Sequence, residues 1–203
     1  MIDINFEWSR SLAYEITGAG NMRRIQPVGK NRQRFEPFKI EGDTPLFLRF
    51  AQLDRSEESL LRFARAWGLL RCEKQSQGEF LRDWESSIDA IKTMATAFGA
   101  FDEQPGGELQ RASPGTLAKV SELDVVLRAG PGRPTLVFKP PRLLEAMHLQ
   151  LSTFIAGHGS LGACKSCGTW FERGGRDSRR SLAVYCSETC KNRFNNLRKR
   201  GKQ

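Results

Sequence analysis

The sequence has no long apolar run, and it has fewer acidic than basic residues. No stretch of its 203 residues approaches the roughly 18 consecutive apolar residues that a membrane-spanning helix needs. The first eight residues, Met-Ile-Asp-Ile-Asn-Phe-Glu-Trp, carry acids where a secretory signal needs basic and then apolar residues. We therefore expect a cytoplasmic protein without a membrane partner. Hydrophobic residues still make up 39% of the chain, which favours one or two folded domains over global disorder.

Histidine is scarce, and the familiar catalytic motifs are missing. The chain has 2 histidines, His148 and His158, and neither lies near the cysteine cluster described below, which counts against an HNH-type nuclease. It has no Gly-x-Ser-x-Gly, no His-Glu-x-x-His and no phosphate-binding Gly-rich loop followed by Lys-Ser/Thr. Cys72 stands alone and is predicted to be a small buried hydrophobe rather than a redox thiol. We therefore predict that the protein is not an enzyme.

The positive charge is concentrated near the C-terminus. The chain has 32 Lys plus Arg against 23 Asp plus Glu, a net charge of +9. Residues 160–203 hold eleven basic and three acidic residues, whereas residues 1–159 hold 21 and 20. This asymmetry indicates a polyanionic partner for the C-terminal segment. A solvated basic tail without a partner is the alternative.

The pattern of apolar residues predicts an α+β fold with a mainly helical N-terminal domain over residues 1–159. Glycine and proline interrupt the first 45 residues, which we predict to be loops with one short strand. Helices are predicted after Pro45, from a cap at Asp54 to Gly68, from near Gly78 to Phe98, and over 143–155. Two short apolar runs, 123–128 and 135–139, predict a small β-hairpin over about 123–139. Glu79, Asp83 and Glu85 are predicted to be solvated, and residues 102–114 to form a loop.

The cysteines predict a metal site in a separate module over residues 160–203. Four of the 5 cysteines form the pattern C-x2-C-x18-C-x3-C: Cys164, Cys167, Cys186 and Cys190. Two short cysteine pairs separated by a loop are typical of a structural zinc site with four thiolate ligands. We predict one structural Zn²⁺ on these four residues. Gly168 suits a tight turn after the first pair, and Trp170 and Phe171 would supply a small core. Oxidation of the same thiols to disulfides, with loss of zinc, is a second behaviour that the spacing allows.

The second cysteine pair predicts a basic helix. Ser187 is a natural N-cap, which would place Cys190 in the first helical turn, with Phe194 and Leu197 on the same face. Basic residues cover the rest of this helix, so we expect it to contact nucleic acid. Asn192 and Arg193 are the candidates for base contacts, although Asn192 could instead brace the metal loop. The residues predicted to bind nucleic acid lie in an Arg-rich loop and in this helix: Arg173, Arg176, Arg179, Arg180, Lys191, Asn192, Arg193, Arg198, Lys199 and Arg200.

This C-terminal segment resembles the CGNR zinc finger. The residues that carry the resemblance are Cys164-x-x-Cys167-Gly168-x-x-Phe171 and Tyr185-Cys186-Ser187-x-x-Cys190-Lys191-Asn192-Arg193. Lys191 departs from the motif, which has Gly there. If residue 191 is helical, Lys costs no stability there and adds a phosphate-binding charge. If the position needs positive φ, Lys would distort the second cysteine pair.

The upstream segments 45–51 and 63–70 are similar to the helical part of the ABATE domain, which precedes the CGNR finger in that family. The family is regarded as stress-induced transcription regulators. The resemblance implies a DNA-binding regulator acting on double-stranded DNA, with an N-terminal domain that senses a small-molecule ligand or forms a homodimer. An RNA- or ribosome-associated zinc protein, or an adaptor that docks an acidic protein through the basic finger, is the alternative.

Overall fold

The computed structural model describes residues 2–4, 6–37, 44–71, 78–97, 124–128, 135–157, 160–173 and 183–200. Five α-helices are formed in these ranges: α1 Leu46–Ala51, α2 Glu57–Trp67, α3 Leu81–Ala97, α4 Leu143–Ala156 and α5 Glu188–Arg200. Ten short strands accompany them: β1 Ile2–Ile4, β2 Trp8–Ser11, β3 Tyr14–Thr17, β4 Arg24–Pro27, β5 Arg32–Phe35, β6 Glu79–Phe80, β7 Asp124–Arg128, β8 Thr135–Lys139, β9 Ser160–Ala163 and β10 Trp170–Arg173. The α+β class is therefore confirmed.

The strands form four small sheets. Strand β8 lies between β1 and β7, and β4 lies between β3 and β6. The other two sheets are the pairs β2–β5 and β9–β10. All of these pairings are antiparallel except β1 with β8, which is parallel. The predicted hairpin is confirmed, because β7 pairs with β8 from Asp124 opposite Lys139 to Arg128 opposite Thr135.

The prediction of loops and one strand in the first 45 residues was wrong, because five strands begin there. Three of the interrupting glycines, Gly18, Gly20 and Gly29, lie in the connections between these strands and have φ values of +85°, +52° and +75°. Each strand has four residues or fewer, which is too short for a clear alternation of apolar and polar side chains. The N-terminal region is consequently richer in strand than a mainly helical domain with a single hairpin.

Helices α1, α2 and α4 follow the sequence prediction closely, with one change at a cap. The N-cap of α2 is Ser56, whose Oγ accepts a hydrogen bond from the backbone N–H of Ser59 at 3.2 Å. Asp54 instead accepts from the backbone N–H of Ser56 at 2.9 Å, so it braces the cap residue. Gly68 ends α2 with φ +87°, as expected for a helix terminator.

The longest helix begins later than the apolar stripe predicts. Phe80 belongs to strand β6, where it pairs with Arg24 of β4, and α3 starts at Leu81. The buried stripe runs along Trp84, Ile88 and Ile91. Phe98, the expected last member of the stripe, lies outside the described residues.

Aromatic rings form the centre of this core. The ring of Trp84 meets those of Phe50 and Phe63 edge-on, with centroids 6.0 and 5.9 Å away. The rings of Phe50 and Phe63 are themselves 5.1 Å apart. These contacts join α1, α2 and α3 around one cluster of buried rings.

Glu79 was wrongly predicted to be solvated. It is buried in β6, with 7% of its surface exposed. One carboxylate oxygen, Oε2, accepts hydrogen bonds from the backbone N–H of Leu70 at 2.9 Å and from Trp84 Nε1 at 2.8 Å. The other oxygen accepts from the backbone N–H of Arg71. The carboxylate therefore ties the end of the α2 region to the start of α3.

The chain divides into two compact units. Unit 1 comprises Met1–Ile91 with Ala118–Gln150, and unit 2 comprises Lys92–Leu117 with Leu151–Gln203. The expected boundary between residues 159 and 160 stays a prediction. Cys72, His158 and the loop 102–114 lie outside the described residues. Among the helices that are described, none combines the length and the apolar character needed to cross a membrane.

Candidate metal centre

The first cysteine pair lies in a tight turn between β9 and β10. The backbone N–H of Cys164 donates to the carbonyl of Thr169 at 3.0 Å, and the N–H of Gly168 donates to the carbonyl of Cys164 at 2.8 Å. Gly168 has φ +73°, a conformation that residues with a side chain rarely adopt. The sequence Cys-Lys-Ser-Cys-Gly thus forms a tight hydrogen-bonded turn. Both of its sulfurs lie on the side of the turn that faces the second cysteine pair.

The second pair lies at the start of α5. Cys186 precedes the helix, and Cys190 lies in its first turn, where its backbone N–H donates to Ser187 Oγ at 3.1 Å. This confirms Ser187 as the N-cap. A further hydrogen bond, from the N–H of Lys165 to the carbonyl of Val184 at 3.0 Å, holds the two cysteine segments together.

The four sulfur atoms converge on one point. All four Sγ atoms lie within 4.8 Å of one another, and all four cysteines are free thiols. The Sγ atoms of Cys186 and Cys190 are 3.4 Å apart, and those of Cys167 and Cys186 are 3.7 Å apart. Four thiolates at about 2.3 Å from a tetrahedral zinc would be separated by edges of about 3.8 Å. The cysteines are therefore positioned to bind one metal ion, and their donor chemistry fits zinc.

The thiol pKa values are shifted in opposite directions, and hydrogen bonds lower those of Cys164 and Cys167. Burial acts to raise the pKa of Cys164, but backbone N–H groups of Cys186, Ser166 and Cys167 outweigh it and lower this pKa to about 6. Hydrogen bonds from the side chain and backbone of Thr169 lower the pKa of Cys167. These N–H groups favour thiolates, the form that binds a metal.

The thiol of Cys186 shows the opposite effect. Burial, followed by its contact with the thiol of Cys190, raises its pKa to about 12. The close approach of several sulfurs opposes a build-up of negative charge. A bound cation would relieve that repulsion, which is the electrostatic setting of a four-thiolate metal site.

A small apolar core supports the cysteine turn. Leu161 in β9 and Phe171 in β10 are buried, as is Cys164, whereas Trp170 is half-buried. Phe171 therefore fills the core position that was predicted for it, and Trp170 does so in part. Next to the second cysteine pair in sequence, the rings of Tyr185 and Phe194 pack with centroids 5.5 Å apart. This contact holds the second turn of α5 against the segment that precedes it.

The residues predicted to bind nucleic acid fall into three groups. Asn192, Arg193 and Arg198 are exposed on α5. Lys191 is also on α5, where its Nζ pairs with Glu188 at 3.1 Å. The second group has one described member, Arg173, which lies in β10 with its guanidinium 5.6 Å from the ring centroid of Phe171. For the remaining predicted residues, either the backbone or the side chain lies outside the described structure: Arg176, Arg179, Arg180, Lys199 and Arg200.

Residue 191, where Lys replaces the Gly of the motif, has a helical conformation. Lys191 lies inside α5, and the positive φ values in the described chain do not include this residue. A lysine is therefore accommodated without distortion of the second cysteine pair.

Sequence reasoning missed three residues of α5 beside Asn192 and Arg193. Thr189, Asn196 and Leu197 join them in lining an open depression on the helix surface. Leu197 was expected to share the apolar face of Cys190 and Phe194, but 62% of it is exposed. The spacing of the five residues, which spans positions i, i+3, i+4, i+7 and i+8, is the signal that could have identified this face.

Comparison with known proteins does not identify the chain, since no family model, curated protein or solved structure matches it. The resemblance to the ABATE domain and the CGNR finger therefore rests on the sequence motif. The geometry of the four cysteines stands independently of that resemblance.

Proposed function

We propose that the C-terminal segment is a zinc-stapled module that binds double-stranded DNA, and that the protein regulates transcription. The observation that carries the proposal is the position of α5. Its first turn includes a member of the four-cysteine cluster, while Asn192, Arg193 and Arg198 are exposed along its surface. A metal site that holds the start of such a helix gives it a defined direction in a DNA groove.

In this proposal zinc is structural. Cys164, Cys167, Cys186 and Cys190 would occupy all four tetrahedral positions, which leaves none open to activate water. We accordingly propose no catalytic role for the site. The module has a small core of its own, so the metal would supply most of its folding free energy.

The charge and the side chains of α5 favour nucleic acid as the partner. Its single acid in the first turn, Glu188, is paired with Lys191, so it does not oppose an incoming phosphate. Asn192 is exposed and lies two positions after Cys190, about 200° around the helix from the metal side. This placement favours a base contact for Asn192 over a role in bracing the metal loop.

Unit 1 would regulate DNA binding by this module. The resemblance to the ABATE domain leads us to propose that unit 1 senses a small-molecule ligand or forms a homodimer. The ligand-sensing role would make DNA binding depend on a cellular signal, whereas a homodimer would present two modules to the DNA.

Binding measurements over a series of salt concentrations test the proposal. About half of the eleven basic residues in 160–203 contacting phosphates would give a log–log slope of roughly −5. Arg198→Ala or Lys199→Ala should weaken binding to all sequences and reduce the slope by about one. Arg193→Ala should cost about 1 to 3 kcal/mol at one preferred base pair. Arg65→Ala, at an exposed position of α2, changes the net charge equally and should leave binding unchanged.

Parallel assays on single-stranded RNA of matched length separate the alternatives. Equal or tighter binding to RNA would contradict the DNA proposal and favour an RNA- or ribosome-associated protein. Absent or salt-independent binding to both nucleic acids would leave the adaptor for an acidic protein. Fewer than one equivalent of zinc in protein purified under reducing conditions would contradict the metal assignment.

A further inference from the structure

One face of α5 combines polar and apolar groups in an unusual way for an exposed helix. Thr189, Asn192, Arg193, Asn196 and Leu197 line a single open depression. Two carboxamides, a hydroxyl and a guanidinium thus lie beside an aliphatic side chain that is 62% exposed. None of the five is acidic, and the nearest acid on the helix, Glu188, is paired with Lys191.

This set of groups matches the edges of base pairs in the DNA major groove. Asn can bond adenine at N6 and N7, Arg can bond guanine at O6 and N7, and an apolar side chain can contact the methyl group of thymine. Leu197 lies one helical turn beyond Arg193, about 6 Å along the helix axis. Because base pairs are stacked about 3.4 Å apart, the two side chains would meet base pairs that are one to two steps apart.

We propose that Leu197 contacts the 5-methyl group of a thymine, and that Arg193 and Asn196 read the base pairs beside it. The inference rests on the proposed function, namely that α5 enters the major groove. It adds a specific base preference and two residues, Asn196 and Leu197, that the motif does not contain. The same contact would discriminate against RNA, because uracil lacks the methyl group and the major groove of A-form RNA is too narrow for side chains to read.

The exposure of Leu197 favours a role in binding over a role in folding. The neighbouring apolar residue Phe194 packs on Tyr185 at 5.5 Å, whereas most of Leu197 remains in contact with solvent. Alanine has a higher helix propensity than leucine, so Leu197→Ala should leave α5 and the metal site intact. The zinc content of the variant provides a direct check.

The experiment uses the full chain with zinc bound and duplexes selected from a random-sequence library. Each thymine in the preferred site is then replaced by deoxyuridine, one at a time, which removes a single methyl group without changing base pairing. For the wild-type protein we expect about a four-fold loss of affinity at one or two positions, the effect of one buried methyl group. Leu197→Ala should bind the thymine site about four-fold more weakly and should lose its sensitivity to deoxyuridine at those positions.

Leu12 provides a matched control. It lies in unit 1 and is 64% exposed, close to the exposure of Leu197. Leu12→Ala should therefore keep the affinity and the deoxyuridine profile of the wild type. Asn196→Ala should weaken binding at a neighbouring base pair while keeping the response to deoxyuridine.

The outcomes distinguish this inference from the proposed function. Sequence-selective DNA binding with no thymine in the selected site, or with no position sensitive to deoxyuridine, would overturn the methyl contact and leave the DNA-binding function standing. An identical deoxyuridine profile in wild type and Leu197→Ala would assign the methyl contact to another residue and overturn the role of Leu197. Failure of the wild type to bind any duplex would contradict the proposed function itself, before any variant is needed.

Discussion

Among single residues, Glu79 is a charged side chain that accepts an unusual number of hydrogen bonds while buried. Its buried carboxylate accepts hydrogen bonds from two backbone N–H groups, of Leu70 and Arg71, and from the indole N–H of Trp84. A buried charge is tolerated when several donors satisfy it, and each such bond is worth more than a neutral one. Leu70 and Trp84, which carry two of these donors, are themselves buried, so their N–H groups depend on the carboxylate in turn.

We expect Glu79→Ala to lower the free energy of unfolding of unit 1 by about 3 kcal/mol or more, because it leaves these donors without their acceptor. Urea unfolding followed by tryptophan fluorescence would measure the loss, since Trp84 lies at the centre of the core. Glu85→Ala, at a nearby and more exposed position on α3, should change the unfolding free energy by less than about 0.5 kcal/mol. Equal effects of the two substitutions would contradict the role assigned to Glu79.

His148 makes the stability of unit 1 depend on pH. Burial disfavours the imidazolium and is the largest effect, and repulsion from Arg71 acts in the same direction. The pKa of His148 therefore lies below 6.5 despite attraction from Glu145. The unfolded chain therefore binds a proton at higher pH than the folded chain does. Stability is highest above 6.5 and falls as the pH drops from 6.5 through the folded pKa.

His148→Gln should reduce this loss of stability on acidification. The measurement is the urea midpoint of wild type and variant at pH 7.5 and at pH 5.5. We expect the wild type to lose more stability than the variant between the two conditions. An equal loss in both proteins would assign the pH dependence to other groups.

Among the helices, α5 begins at a cap that also contacts a metal ligand. Ser187 Oγ accepts the backbone N–H of Cys190, so the N-cap and a metal ligand are joined by one hydrogen bond of 3.1 Å. The orientation of Cys190 and the start of the helix are thus set together. The ring contact between Tyr185 and Phe194 then continues the anchoring into the second turn.

Ser187→Ala should cost about 1 kcal/mol of helix stability, which corresponds to about a five-fold weaker affinity for zinc. Competition with a chelator of known affinity would measure it. Ser187→Thr retains a capping hydroxyl and should restore most of the affinity. An unchanged affinity in the alanine variant would show that the metal site does not depend on this cap.

For the molecule as a whole, the distribution of apolar residues predicts unequal responses to metal removal. Unit 1 has a core of buried aromatic and aliphatic residues, whereas the described part of the cysteine module has few buried side chains, among them Leu161 and Phe171. Structural zinc contributes on the order of 10 to 16 kcal/mol to modules of this kind. The two parts therefore draw their stability from different sources.

Removal of zinc by a chelator under reducing conditions should unfold the segment 160–200 and leave unit 1 folded. Hydrogen exchange read out by mass spectrometry would show loss of amide protection in β9, β10 and α5, with protection retained in α2 and in Trp84 of α3. Restored protection on addition of zinc completes the test. Loss of protection throughout unit 1 would contradict the independence of its core.

The parts of the structure that depend on neighbouring residues could be predicted from the sequence. The four cysteines were found from their spacing alone, because each pair is held by a short turn or by one turn of helix. Helices α1, α2 and α4 followed from local apolar periodicity. The capping role of Ser187 and the helical state of Lys191 likewise depend on a few adjacent residues.

The features that were missed depend on partners far along the chain. Strand β1 pairs with β8 from Ile2 opposite Leu136, and a three-residue strand carries no pattern that could name such a partner. The sequence alone predicts that Glu79 is solvated, because only the folded chain brings Trp84 and the backbone of Leu70 into contact with its carboxylate. On α5, periodicity placed Leu197 beside Cys190, but only the packing of the folded chain decided that Phe194 is half-buried while Leu197 stays exposed. Burial is a property of what surrounds a side chain, and long-range packing supplies those surroundings.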